Sequence, residues 1–107
     1  MSEPLPLIAA DQLADGESAE VVAAGRIFAV YRIGDVYHVL DGICPHSGGP
    51  LGKGTLNGCI VTCPWHGWQF DVTSGQNCLS ASMPQQPHFQ PEVIDGQVCI
   101  RLETPEA

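Results

Sequence analysis

Short apolar stretches alternate with turn sequences along most of the chain. The apolar stretches are rich in Val, Ile, Tyr and Phe, and they predict strands at residues 21–24, 26–33, 36–40, 59–62, 69–72 and 97–102, with edge strands at 5–9 and near 92–94. Dipeptides typical of hairpin tips separate several of these strands: Gly34-Asp35, Asn57-Gly58, Ser74-Gly75 and Asp95-Gly96. The pattern therefore predicts an all-β domain of small antiparallel sheets.

Helical signal is confined to residues 11–14, where Asp11 is expected to cap a single turn that ends at Gly16. Gly and Pro cluster between residues 42 and 54 and between 63 and 91. We therefore predict a single domain, 1–107, with a base formed by about 1–42 and 73–107 and a ligand-bearing insertion at about 43–72. The insertion is too small to bury much apolar surface alone, so we expect a metal to organise it.

Composition limits the possible functions. A chain of 107 residues and 11.4 kDa is one domain with a modest core. Its net charge of −8 excludes a nucleic-acid surface built on phosphate contacts. The charge fits a basic docking partner, although acidity that only keeps the protein soluble explains it equally well. No apolar run approaches the roughly 18 residues of a membrane span, so a soluble, cytoplasmic and monomeric protein is expected.

Two tight loops carry the candidate metal ligands. The first contains Cys44 and His46, and the second contains Cys63 and His66. A mononuclear zinc module usually pairs like ligands in one knuckle, whereas each loop here supplies one thiolate and one imidazole. If both cysteines bind one iron and both histidines the other, the loops enclose a [2Fe-2S] cluster with unlike ends. The four residues are therefore predicted to bind both the cluster and its metal ions.

Around these ligands the chain resembles the Rieske ferredoxins. The resemblance rests on the spacing Cys44-x-His46 and Cys63-x2-His66, and on the Gly-Gly-Pro-Leu and Gly-Trp-x-Phe-Asp sequences that follow the two pairs. It continues through Ser74-Gly75 and the segment around Pro84, and it covers nearly the whole chain.

The resemblance implies a Rieske fold and an electron carrier, not an enzyme. The expected partners are a flavin-dependent reductase and a terminal oxygenase, which would dock transiently near His46 and His66. Terminal oxygenases related to this family carry a further domain with a mononuclear iron. After residue 72 only His88 remains as a histidine, so no second set of ligands is expected and the oxygenation must occur on a partner.

Hydrogen bonds to the cluster sulfurs set the potential of Rieske centres. In the high-potential branch of the family a Ser and a Tyr hydroxyl supply them, and this chain has Trp68 and Phe70 at those places. That branch also joins its loops by a disulfide, where this chain has Gly49 and Trp65. We therefore expect a potential near the lower end of the roughly −150 to +300 mV range.

Neighbouring residues have expected supporting roles. Gly48, Gly49 and Gly67 either allow backbone N–H groups to approach the sulfides or simply make the turns. Leu51, Trp65 and Pro84 are expected to shield the cluster from water. Ordinary packing is the alternative for Trp65 and Trp68.

The remaining cysteines and histidines are not assigned to metal. Cys59, Cys78 and Cys99 are expected to be reduced thiols that fill small core or half-buried positions. For Cys99, alternation with an apolar face at 98, 100 and 102 predicts a position near the surface. His38 is predicted to be a satisfied or half-exposed strand histidine, and His88 has no neighbouring ligand in the sequence.

Two other functions fit parts of the pattern. The small Rieske-like subunit of a nitrite reductase shares it, although many such subunits have lost the ligands that are all present here. A structural zinc domain could use the same four side chains around one ion. A red-brown colour that bleaches with dithionite distinguishes the iron protein from the zinc form.

Overall fold

The computed structural model of the chain describes residues 4–43, 49–65, 67–78 and 85–101. Ten short strands form three antiparallel sheets in this part of the chain, with 3₁₀ turns at Ala10–Gln12 and Leu51–Lys53. The all-β prediction is confirmed. None of the helices in these residues has the length and apolarity that crossing a bilayer requires.

The terminal sheet has the order β1-β10-β9 and joins the two ends of the described chain. Its strands are β1 (Leu5–Ala9), β9 (Glu92–Ile94) and β10 (Gln97–Ile100). β10 lies in the middle, paired with Pro6 and Ile8 on one side and with Val93 on the other.

The central sheet has the order β2-β3-β4-β8. Its strands are β2 (Ser18–Ala23), β3 (Arg26–Ile33), β4 (Val36–Asp41) and β8 (His88–Phe89). The third sheet has the order β5-β6-β7 and contains β5 (Thr55–Asn57), β6 (Ile60–Thr62) and β7 (Gln69–Asp71).

Strand β3 is buried on both faces because it lies between two cores. Phe28 and Val30 belong to the core shared with the terminal sheet, and Ala29 and Tyr31 belong to the core shared with the third sheet. All four residues are fully buried. This explains why the sequence of β3 is almost continuously apolar where a half-exposed strand would alternate.

The predicted hairpin tips coincide with backbone that favours glycine. Gly34, Gly58, Gly75 and Gly96 all have positive φ. A further tip at Ala24-Gly25 joins β2 to β3, and Ala24 itself has φ +52°. The turns at Ala24-Gly25 and Gly34-Asp35 set the antiparallel register of the central sheet.

Several local predictions differ from the structure. β5 and β8 were not predicted, because strands of three and two residues carry too little alternation to be recognised. β2 begins at Ser18, three residues earlier than expected. Asp11 does not cap a helix: it lies inside the 3₁₀ turn, which has Ala9 as N-cap and no side-chain cap.

Two cysteine predictions are wrong. Cys99 is buried, with 4% of its surface exposed, because β10 is a middle strand and not an edge strand. Cys78 is exposed and does not fill a core. Cys59 is half-buried as expected, and Cys59, Cys78 and Cys99 all carry free thiols.

Candidate metal centre

Cys63 is the predicted ligand that the structure describes; Cys44, His46 and His66 lie outside the described residues. Cys63 directly follows β6 and is 1% exposed. Its backbone N–H donates to the Trp68 carbonyl at 2.8 Å, and the Gly67 N–H donates to the Cys63 carbonyl at 3.1 Å. The second loop is therefore a tight turn that buries its cysteine at the base.

The first loop rests on this cysteine through Gly49. A Cβ added at Gly49 would lie 2.8 Å from Cys63 Sγ and 3.1 Å from Trp65 Cγ. Gly49 is buried and does not have a positive φ. Close packing against Cys63 and Trp65 therefore explains this glycine, and the approach of N–H groups to the sulfides stays a prediction.

Gly67 has the other role. Its φ is +77°, and a Cβ added there would meet nothing within 4 Å. Conformation alone explains this glycine, because L-residues rarely adopt such a φ. Gly48 lies outside the described residues.

Backbone bonds hold the first loop against the central sheet. Ile43 pairs with Pro50, and the Leu51 N–H donates to the Gly42 carbonyl at 2.9 Å. The buried Leu51 carbonyl accepts from the Tyr31 hydroxyl at 2.9 Å and from the Gly54 N–H at 3.0 Å. The loop is thus held at both of its described ends.

Gln86 supports the start of the same loop, and sequence reasoning missed it. Its side chain is buried, and Nε2 donates to the carbonyls of Asp41 and Ile43. Its backbone N–H donates to the Gly75 carbonyl, and a Cβ at Gly75 would collide with the Gln86 carbonyl. A glutamine in a Pro-rich segment carries no signal in the sequence that would have identified this contact.

The aromatic residues divide into exposed and buried ones. Trp65 is 59% exposed and Phe70 is fully buried. Trp68 is half-buried and packs on Phe70, with ring centroids 6.3 Å apart. Ordinary core packing therefore explains Trp68 and does not explain Trp65. Leu51 is buried beside the loops, and Pro84 lies outside the described residues.

Charge is scarce around the two loops. Residues 42–70 contain no Asp, Glu or Arg, and Lys53 is their one lysine. Burial, followed by the nearby Cys63, raises the pKa of Tyr31 far above its usual range, so its hydroxyl stays protonated. The surroundings of Cys63 are therefore apolar and shielded from water.

His38 and His88 lie on the face of the central sheet that carries Leu40. Burial and then His88 lower the pKa of His38, while Asp71 opposes the shift. His38 is half-buried, as predicted, and His88 Nε2 is buried with no hydrogen-bond partner in the described part of the chain.

The residues present fit an iron–sulfur cluster. The buried thiol of Cys63 lies at the base of one loop, and Gly49 of the other loop lies against its sulfur. The high-potential branch joins its two loops by a disulfide, and this chain is expected to have Gly49 and Trp65 at those two positions. Gly49 and Trp65 pack against each other here without a disulfide. Within the described residues no three metal-ligating side chains come together, since three of the four predicted ligands lie outside them.

Comparison with known proteins shows the family of the chain. The family model described as "Rieske [2Fe-2S] domain" matches residues 3–95. Ferredoxin CarAc of Metapseudomonas resinovorans is 33% identical over 100 residues, covering 92% of this chain and 94% of the relative.

Solved structures share the architecture. The Sphingomonas yanoikuyae B1 ferredoxin superposes with a TM-score of 0.86 at 28% identity, covering 94% of this chain and 100% of that one. A chain from the complex of reduced oxygenase and oxidized ferredoxin in carbazole 1,9a-dioxygenase superposes with a TM-score of 0.84 at 31% identity, covering 94% of each chain.

Proposed function

Because the chain belongs to the Rieske [2Fe-2S] domain family, we propose that it carries single electrons from a flavin-dependent reductase to a terminal oxygenase. The family carries one [2Fe-2S] cluster, and full-length relatives are ferredoxin components of dioxygenase systems. The chain itself is an electron-transfer component and not an oxygenase. The observation that carries the proposal is the buried Cys63 thiol packed against Gly49.

The proposed ligands are Cys44 and Cys63 on one iron and His46 and His66 on the other. Cys63 supports this assignment, because its buried thiol lies at the base of the second loop, against Gly49 of the first loop. When bound, the cluster supplies reversible one-electron chemistry. The proposal includes residues 43–72 as the cluster-binding subdomain and the rest of the chain as its base.

The chain's own residues insulate the cysteine side of this centre. Gly49 closes over Cys63 Sγ, and Leu51 and Phe70 fill the space beneath the loops. A site with little water keeps the potential sensitive to the few hydrogen bonds that reach the sulfurs. Neither Trp68 nor Phe70 carries a hydroxyl, which supports a potential near the lower end of the Rieske range.

Docking is proposed at the apolar tip, which we define as Ile43, Pro64 and Trp65. These residues are exposed, Ile43 by 40% and Trp65 by 59%. They lie on the two loops that carry His46 and His66, and Trp and Tyr are the side chains that most often anchor transient interfaces. A relative of 31% identity has been crystallised in complex with an oxygenase, which supports this role for the ferredoxin.

We further propose that the protein is a cytoplasmic monomer. Free thiols at Cys59, Cys78 and Cys99, one of them exposed, favour a reducing compartment.

Analysis of iron, inorganic sulfide and visible absorption tests the proposal. We expect two iron and two sulfide ions per chain, a red-brown colour that dithionite bleaches, and reoxidation of the reduced protein by a terminal oxygenase. Cys63→Ser should abolish the colour, whereas Cys78→Ser should keep it, because Cys78 is exposed and lies outside the ligand set. A colourless protein that binds one zinc ion would overturn the assignment.

A further inference from the structure

Tyr31 is a buried polar residue that the proposed electron transfer does not use. It lies on β3 and is fully buried in the core that also contains Leu51, Cys63 and Phe70. Its hydroxyl donates a hydrogen bond of 2.9 Å to the Leu51 carbonyl. A tyrosine in a core is costly unless its hydroxyl is bonded, so this contact fixes the side chain and the carbonyl together.

The bonded carbonyl lies two residues after Gly49. Gly49 lies on Cys63 Sγ, so the height of the first loop above the sheet determines how closely that sulfur is covered. Tyr31 is joined to this loop from a strand twenty residues away in sequence. Its ring and hydroxyl therefore connect the central sheet to the loop whose Gly49 covers Cys63 Sγ.

The hydroxyl acts through the loop and not directly on the sulfur. Its proton is directed to the Leu51 carbonyl, and Tyr31 and Cys63 belong to the same buried core. In the high-potential branch of the family, hydroxyls on the second loop donate to the cluster. In this chain the Tyr31 hydroxyl donates to a backbone carbonyl of the first loop.

We propose that Tyr31 is a positioning residue for the iron–sulfur centre: by holding the Leu51 carbonyl it keeps Gly49 against Cys63 and water away from that sulfur. The proposal rests on the proposed function, because it takes Cys63 as a cluster ligand. Water that reaches a cluster sulfur donates hydrogen bonds and stabilises the reduced state. Loosening the loop should therefore raise the potential.

The chain offers a matched control. Tyr37 lies on the neighbouring strand β4, packs in the opposite core, and donates its hydroxyl to the Ala10 carbonyl at 2.8 Å. Tyr31→Phe and Tyr37→Phe each remove one tyrosine–carbonyl bond from the same sheet. Both should lower thermal stability, while only Tyr31→Phe should alter the cluster.

The test compares the two variants with wild type by redox titration, by electron paramagnetic resonance of the reduced protein and by the rate at which cluster absorption is lost. We expect Tyr31→Phe to raise the potential, to shift the g-values and to lose the cluster about fivefold faster, the factor that corresponds to one hydrogen bond. Tyr37→Phe should match wild type in potential and g-values. Equal potentials and g-values in the two variants would overturn the proposal.

Two outcomes separate this proposal from the proposed function. If wild-type protein contains no inorganic sulfide, the proposed function fails; if it contains the cluster and Tyr31→Phe behaves like Tyr37→Phe, only the role of Tyr31 fails. Should Tyr31→Phe not fold, 3-fluorotyrosine can be incorporated into Tyr37→Phe, where residue 31 is the remaining tyrosine. The fluorinated protein should differ in potential from unlabelled Tyr37→Phe, and an unchanged potential would overturn the role.

Discussion

At the scale of single residues, close contacts around Cys63 determine which side chains the site tolerates. Gly49 and Gly67 are both near the proposed ligands in sequence. Gly49 is needed because a Cβ would collide with Cys63, whereas Gly67 is needed because its backbone has a positive φ. Phe70 and Trp68 stand where the high-potential branch of the family is expected to have hydroxyl side chains. In this chain Phe70 is buried in the core, and Trp68 packs against that core. Each difference leads to a substitution with a distinct result.

Gly49→Ala should prevent stable assembly of the cluster. Its Cβ would lie 2.8 Å from Cys63 Sγ and 3.2 Å from Trp65 Cβ, so the loops must separate. Iron and sulfide content after purification measures the effect. Gly34→Ala is the control: it has φ +61° with open space around it, so it should lower stability by about 1 kcal/mol and leave the cluster content unchanged. Equal iron content in the two variants would contradict the role given to Gly49.

Phe70→Tyr should raise the reduction potential, because a hydroxyl that donates to a cysteine sulfur stabilises the reduced cluster. Phe70 is fully buried in the core that contains Cys63, so the new hydroxyl has few other partners. Phe89→Tyr, in the opposite core, should leave the potential unchanged. A Phe70→Tyr protein that loses stability at constant potential would show that the hydroxyl does not reach the sulfur.

At the scale of elements, one short segment, residues 86–89, connects the base to the first loop. Strand β8 pairs with β4 through two residues, and Gln86 just before it bonds the end of β4. This segment brings His88 beside His38 on the face towards Asp71. The edge of the central sheet therefore contains an interacting pair of histidines next to the third sheet.

Replacing His38 by Gln should make folding less sensitive to mild acid. Burial and His88 lower the pKa of His38 in the folded protein, so the unfolded chain binds a proton more readily. Folded stability is therefore lost as pH falls through about 6.5, the ordinary histidine value, and the loss stops below the folded pKa.

Denaturant unfolding at pH 7.5 and pH 5.5 measures this effect. Wild type should lose more stability between the two conditions than His38→Gln. His88→Gln should reduce the loss in part, because it removes a neighbour that lowers the pKa of His38. An identical pH dependence in wild type and His38→Gln would contradict the interpretation.

At the scale of the whole molecule, the acidic residues lie outside the two loops of the proposed docking end. Each of the four basic residues lies within 4 Å of a carboxylate, and all twelve acidic residues lie outside residues 42–70. The apolar tip lies within that range, and the Asp41 carboxylate beside it accepts from the Ile43 N–H at 3.0 Å. Long-range attraction to a basic partner and apolar contact at the tip are therefore carried by different parts of the surface.

Trp65→Ala should lower the rate constant for electron transfer to the oxygenase by about tenfold or more, since exposed tryptophans at interfaces are common hot spots. Its stability should change little, because the side chain is 59% exposed. Stopped-flow mixing of reduced protein with oxygenase measures the rate. Val22→Ala, at a residue 71% exposed on β2, should transfer electrons like wild type.

The same stopped-flow experiment, repeated with added salt, distinguishes apolar contact at Trp65 from long-range electrostatic attraction. Added salt should slow wild type and Trp65→Ala by the same factor, because the screened charges lie on the base. A salt dependence that disappears in Trp65→Ala would contradict this separation of charge and contact.

The sequence by itself determined the type of fold and the chemistry. Alternating apolar runs and glycine turns predicted the long strands, because period and turn conformation are local properties of a chain. The Cys–His pairs predicted the cluster for the same reason: a ligand motif is a matter of residue type and spacing. The family match supports both predictions.

Only the tertiary structure decided how these parts are held together. Tyr31 meets Leu51 across twenty positions, and Gln86 meets Asp41 across forty-five. The burial of Cys99 depends on which strands flank β10, and the need for glycine at 49 depends on a sulfur fourteen residues away. Such contacts follow from how sheets pack on one another, and no local pattern in the sequence records that packing.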